Sequence, residues 1–405
     1  MDLIPLNPDS VTVTTSAPAK FNPYRRTIYL CVAISSLVAM TLLMYLVRTG
    51  DRGDFKSVFQ TGSLAPARSD AIAYAASNLH QIRAKFKPKA FQRRNLSFDR
   101  ILADAIRFDI RANDVIVFLH IQKTAGTLLE RALTHQLHLD QPCDCSRGKK
   151  RCRCYRPDSS NRLWLFSRYS TGWPCGLHAD WTELVASNCV DNVLDQKEKL
   201  PLKRRYFYLT LLRDPVARYI SEFRHVQRGA TWQSSLHICN GRPPTAQELP
   251  ACFDPGQGWS GVSLDQFLAC PYNLAANRQT RMLADLSLVQ CYNRSALSPD
   301  QRNAILLQSA KRNLRTMAMF GLQERMHETQ YIFERVFGMK FEKPLVTSDA
   351  KSKSKDTNVT EAQMRKIVDL NSLDIQLYDF AKELFHKRFQ LLKEQDSMFA
   401  FNFAT

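Results

Sequence analysis

The chain has 405 residues, a formal net charge of +18, 44% hydrophobic content and only 14 glycines. That composition excludes a disordered or collagen-like chain and leaves room for one large or two ordinary domains. The basic balance calls for an acidic partner, whether nucleic acid, anionic lipid or acidic polysaccharide.

Residues 1–27 read as a short polar tail. Ile28 to Val47, IYLCVAISSLVAMTLLMYLV, then runs without a charge for the length that crosses a bilayer. A cleaved signal peptide would have an apolar stretch of only about 7–15 residues, nearer the start, so this segment reads as a signal-anchor helix. Lys20, Arg25 and Arg26 precede it, whereas Arg48 and Arg52 after it are mixed with Asp51 and Asp54. The positive-inside rule therefore places the N-terminus in the cytosol and the rest on the lumenal side. The membrane is thus an expected partner through residues 28–47. Residues 48–107, polar and basic, read as a lumenal stem. A globular domain is expected over 108–395, followed by a tail at 396–405.

Cysteine usage fits that placement. Cys31 lies in the span, and the remaining ten are 143, 145, 152, 154, 175, 189, 239, 252, 270 and 291. An even number in an oxidising compartment calls for up to five disulfides, with the pairing open. Zinc is the competing reading for CDCSRGKKRCRC, but its C-x-C spacings are tighter than the usual C-x₂₋₄-C. Three sequons, at Asn95, Asn293 and Asn358, lie on the lumenal side and are candidate glycosylation sites.

Within the globular part, Val115 to Ile121 is an apolar run broken only by His120, as in a strand buried on both faces. Thr127 to Leu139 has helical spacing, with Leu129, Leu133 and Leu137 on one face. Tyr206 to Leu212 reads as a second strand, ending at Arg213-Asp-Pro215, and Pro215 suits the first turn of a helix to about Val226. Met317 to Leu322 is a third strand candidate, and Leu370 to Leu384 is helical. The alternation implies an α/β fold, a central parallel sheet flanked by helices, with ligands at the carboxyl ends of the strands.

Two strand-to-helix corners carry the chemistry. His120-Ile-Gln-Lys-Thr-Ala-Gly-Thr127 lacks the Walker spacing, because Lys123 precedes the glycine. It still offers backbone N–H groups, an ammonium and two hydroxyls to an anion. Arg213 and Ser221, in LLRDPVARYISEF, sit eight residues apart, about two helical turns, and could hold a second phosphate.

The pair of corners resembles the 5′-phosphosulfate and 3′-phosphate loops of sulfotransferases. QPCDC, RCRC, WLFSRYSTGWPCGLHADWTEL, HVQRGATW, WSGVSL, NRQTRMLADLSLV and ILLQSAK are similar to the heparan-sulfate 6-O-sulfotransferase family, over about Phe108 to Gln390. The resemblance implies a Golgi single-pass type II enzyme. It would use 3′-phosphoadenosine 5′-phosphosulfate (PAPS) and no metal, act on heparan sulfate and bind no nucleic acid. It implies that His120, Ile121, Gln122, Lys123, Thr124, Ala125, Gly126, Thr127 and Leu128 cradle the phosphosulfate, with Arg213 and Ser221 on the 3′-phosphate. His178 would be the catalytic base, with Lys123 stabilising the leaving oxygen. Lys150, Arg151, Arg168, Trp173, His178, His225 and Trp232 would face the saccharide. The family's turn reads KTGGT, so a left-handed conformation at Ala125 would strain this one. LVTSDAKSKSK, beginning at Leu345, departs from the family's late loop over the cofactor. Sulfation at another position, such as the uronic-acid 2-hydroxyl, and heparan binding with weak catalysis are the competing readings.

Overall fold

The computed structural model describes residues 95–230, 232, 234–253, 258–346 and 359–404. In chain order the elements are α1 (Phe98–Ala103), β1 (Asp114–Leu119), α2 (Gly126–His135), β2 (Leu165–Phe166), α3 (Cys189–Glu198), β3 (Arg205–Leu212), α4 (Pro215–Gln227), α5 (Leu264–Ala269), α6 (Arg278–Leu283), α7 (Pro299–Thr316), β4 (Met319–Leu322), α8 (Met326–Phe337), α9 (Glu361–Leu370), α10 (Ser372–Glu394) and α11 (Phe399–Ala404).

The strands form one parallel sheet in the order β2-β1-β3-β4. β1 is buried along its whole length, as its unbroken Val, Ile, Phe and Leu run requires. It pairs with β3 from Asp114↔Arg205 to Leu119↔Thr210, and the Thr210 hydroxyl donates to the Leu119 carbonyl at 2.7 Å. The two strands therefore end side by side, with His120 leaving one and Arg213 the other. Parallel strands need crossovers, and helices α2 to α4 are built for that task. Asp214 caps α4 by accepting from the Ala217 amide at 2.8 Å, and Pro215 occupies its first turn. The long α10 packs against α6, α7 and α8.

The expected elements differ at their ends. β1 stops at Leu119, two residues early, because the chain turns there to start the anion corner. The strand expected from Met317 begins at Met319, since Met317 is the cap of α7. β2 has only two residues and escapes any periodicity argument. Packing begins before Phe108: Leu96, Phe98 and Ile101 are buried in the main core, and Asn95 bridges to Tyr206. Beyond residue 395, Phe399 and Phe403 of α11 pack edge-on or tilted against Tyr331 and Phe389. No helix among the described residues is long and apolar enough to cross a membrane, and 28–47 lies outside them.

All ten cysteines that follow Cys31 are paired, as 143–154, 145–152, 175–189, 239–291 and 252–270. His135, Cys145 and Cys152 cluster within 4.8 Å, but a disulfide already joins the two sulfurs. The cysteine-rich segment is therefore a disulfide knot rather than a zinc site.

Candidate active site

The first corner is built from backbone. Lys123 and Ala125 both have φ of +68°, curling the chain so that α2 begins at once. Ala125 is the N-cap and has no side-chain oxygen to accept from the first turn. The amides at the start of α2 are therefore left for an anion. Ile121 is wholly buried, and the equally buried Thr124 donates its hydroxyl to the Ile121 carbonyl at 3.0 Å. These two side chains shape the turn from inside. Gly126 lets the His120 ring approach closely, since a Cβ there would stand 3.0 Å from its Nε2 and crowd it.

The second corner reaches the first directly. Nη1 of Arg213 donates to the Lys123 carbonyl at 3.2 Å, and the Arg213 amide donates to Oε1 of Gln279 at 3.0 Å. A cavity of about 640 Å³ opens over both. Of the residues expected to hold the donor, His120, Gln122, Lys123, Ala125, Gly126, Thr127, Leu128, Arg213 and Ser221 line it, and of those expected at the saccharide, Arg168, His178, His225 and Trp232 do.

His178 stands at the centre of an aromatic cluster. Its ring lies 4.7 Å from Trp173, 5.1 Å from Trp232 and 4.8 Å from His120. Nδ1 is buried and makes no hydrogen bond. Burial pushes the imidazole well below its usual range, and the charges of His120, Arg278 and Arg168 act the same way. The ring is therefore neutral near pH 7. Its φ of +53° is a strained conformation for a histidine, of the kind that collects at functional sites.

Residues 107–381 match the profile of the Sulfotransferase family. Heparan-sulfate 6-O-sulfotransferase 1 of Homo sapiens is 55% identical over 297 residues, covering 73% of this chain and 71% of the relative. The Cricetulus griseus protein of that name is also 55% identical, and heparan-sulfate 6-O-sulfotransferase 2 of Gallus gallus is 47% identical over 371 residues, 91% of this chain and 88% of the relative. This chain belongs to the sulfotransferase family.

The rest of the sulfotransferase site follows from charge. Burial pushes the Lys123 ammonium down, Glu222 opposes that, and Arg213 and Arg228 add to it. An anion in the cavity relieves Lys123 and Arg213, which both line it. Burial alone would raise the Glu222 carboxyl, yet Arg278 and Arg218 hold it at about 2. Glu222 also accepts from the Trp232 indole N–H at 3.2 Å, fixing that wall of the cavity. Arg168 lies over the Tyr169 and Trp173 rings at 5.2 and 5.7 Å.

Lys150, Arg151 and Trp173 are not part of the cavity lining. Trp173 supports it from behind, through His178 and His120. Lys150 and Arg151 are exposed on the disulfide knot, and Arg151 crosses Gly172, where a Cβ would meet its Nη1 at 3.2 Å. Asn95 donates to the Thr316 carbonyl at 3.4 Å, whereas Asn293 forms a turn with its own sequon, accepting from the Ser295 amide at 3.1 Å. Asn358 lies outside the described residues.

Glu130 and Glu222 escaped the sequence reading. Arg218 and Glu222 are four apart on one helix, a spacing visible in the sequence. Glu130, one helical turn beyond Gly126, is an acidic residue beside an anion corner, which was the available signal.

Proposed function

We propose that this enzyme transfers the sulfuryl group of PAPS to the 6-hydroxyl of glucosamine residues in heparan sulfate. The observation that carries the reading is the single cavity shared by Lys123, Arg213 and His178. The donor fits the residues present: the uncapped start of α2 with its glycine takes one phosphate, and Arg213 with Ser221 takes another. Names of the relatives support heparan sulfate as acceptor. Five disulfides suit an oxidising lumen, in keeping with a Golgi enzyme anchored through residues 28–47.

PAPS, when bound, supplies a sulfuryl group activated by a phosphate leaving oxygen. His178, which lines the cavity, takes the proton of the acceptor hydroxyl on its neutral imidazole, making that oxygen a better nucleophile. The ammonium of Lys123 meets the charge that grows on the leaving oxygen, a partner stronger in the transition state than in the ground state. Arg213 and Ser221 hold the nucleotide end, so that binding far from sulfur fixes its direction of departure. Trp173, Trp232 and His120 keep water away from His178 and set its plane. Arg168, His225 and the exposed Lys150 and Arg151 provide the cationic side toward a sulfated chain.

The test is incubation with radiolabelled PAPS and 6-O-desulfated heparan, followed by disaccharide analysis. Label on the glucosamine 6-position is expected. Label on uronic acid, or no label with donor still bound, overturns the reading. His178→Ala should lower kcat by about 10²–10⁴-fold with donor affinity intact. Arg213→Ala should instead weaken donor binding by about 10–100-fold, the worth of a charge-assisted contact.

A further inference from the structure

His120 and His178 are two imidazoles 4.8 Å apart in one cavity, yet only one has a carboxylate partner. Oε2 of Glu130 lies 2.5 Å from Nδ1 of His120. Glu130 is fully buried, and its other oxygen accepts the backbone N–H of Arg168 at 2.9 Å. On the far side of the ring, Nε2 faces Gly126, so close that a Cβ would stand 3.0 Å away. The ring cannot turn over without breaking the carboxylate contact or striking the start of α2.

We infer that Glu130 is a positioning residue that locks the His120 imidazole in one tautomer, with the Nδ1 proton on the carboxylate side and Nε2 facing the cavity. With the carboxylate accepting across its 2.5 Å contact, the hydrogen belongs to Nδ1. The bound group then meets His120 through Nε2 alone, and the carboxylate supplies the counter-charge for any proton that reaches it. The same logic orients the imidazoles of metal sites and of acyl-transfer triads. This inference rests on the proposed sulfuryl transfer, because it assigns the ring a place beside the donor.

Glu130→Gln gives a sharp discriminator. The Arg168 amide can only donate, so the glutamine must turn its oxygen there and its NH₂ toward His120. Nδ1 then becomes the acceptor and the proton moves to Nε2. Nitrogen NMR of the full-length chain, labelled with ¹⁵N-histidine and assigned by loss of the signal in His120→Asn, reads this directly. The wild type should carry a proton on Nδ1, and Glu130→Gln should exchange the two nitrogen signals. Its kcat/KM should fall by about 10–100-fold. The double variant with His120→Asn should be no worse than His120→Asn alone, because the effect passes through that ring. Glu130→Asp, which keeps a carboxylate, should retain the tautomer and regain part of the rate.

A wild-type spectrum protonated only on Nε2 overturns the inference, even if Glu130→Gln fails to fold. So does an unchanged tautomer in Glu130→Gln, or a full additional loss on top of His120→Asn. The tautomer measurement needs no turnover. A wild type that transfers no sulfuryl group therefore refutes the proposed function and leaves this result readable.

Discussion

Ala125 sits where its side chain has a cost. With φ of +68° and ψ of 14°, it holds a left-handed conformation that glycine adopts freely. For an L-residue that conformation costs about 1–2 kcal/mol, and glycine's looser unfolded state returns about 0.4–1 kcal/mol of any gain. Ala125→Gly should therefore raise the melting temperature by about 1–3 °C and leave the turn equally ready for donor. Differential scanning calorimetry with and without donor checks both parts. A lower melting temperature would mean that the Cβ contributes packing that outweighs its strain. Lys123 shares the same φ and cannot be relieved in this way, since its ammonium belongs to the proposed chemistry.

At the scale of elements, the segment carrying His178 hangs between a disulfide and an irregular turn. Cys175 is bonded to Cys189 at the start of α3, 14 residues on, and a π-type turn spans Thr182–Ala186 between them. There the Glu183 carboxylate accepts the Asp180 backbone N–H at 2.9 Å and the Asp180 carboxylate accepts the Glu183 backbone N–H at 3.1 Å. Replacing both cysteines by serine should cost about 3 kcal/mol of stability, as expected for a loop of about 15 residues. It should lower kcat more than donor affinity, because the proposed donor corners ride on β1 and β3 rather than on this segment. Urea denaturation and steady-state kinetics separate the two effects. An equal loss of donor affinity would show that the corners lean on the disulfide after all. This contrast also explains what could be read from sequence. β1, α2, β3 and α4 were legible because each announces itself locally, by an unbroken apolar run or by Asp214-Pro215. The setting of His178 was not: Trp232 arrives from 54 positions away and is itself held by Glu222. No local pattern encodes such a meeting. The capping box of Ser298 and Gln301 at α7 was available in the sequence but marks a helix, not a site.

Across the whole molecule, charge and topology divide the work. The net charge of +18 gives a sulfated polymer a long-range attraction that a short oligosaccharide feels much less. Moving from about 0.05 M to about 0.5 M salt should raise KM for polymeric acceptor severalfold while changing kcat little, because screening acts on encounter and holding. Initial-rate assays against chains of different length check it, and a salt effect independent of length would overturn it. Glu222 does not oppose this field, since Arg218 and Arg278 neutralise it from either side.

The adjacency of β1 and β3 has a consequence for how the enzyme could diversify. The corners of Lys123 and Arg213 are launched from strands one interstrand repeat apart, about 4.8 Å, and are tied together by the Arg213 bond to the Lys123 carbonyl. On the reading proposed above, the two corners hold the two phosphates of the donor, one on each strand's end. Lys150, Arg151 and Trp173 come from stapled segments outside those corners. On that reading, acceptor preference can drift on the stapled segments while the donor corners stay anchored to the ends of β1 and β3.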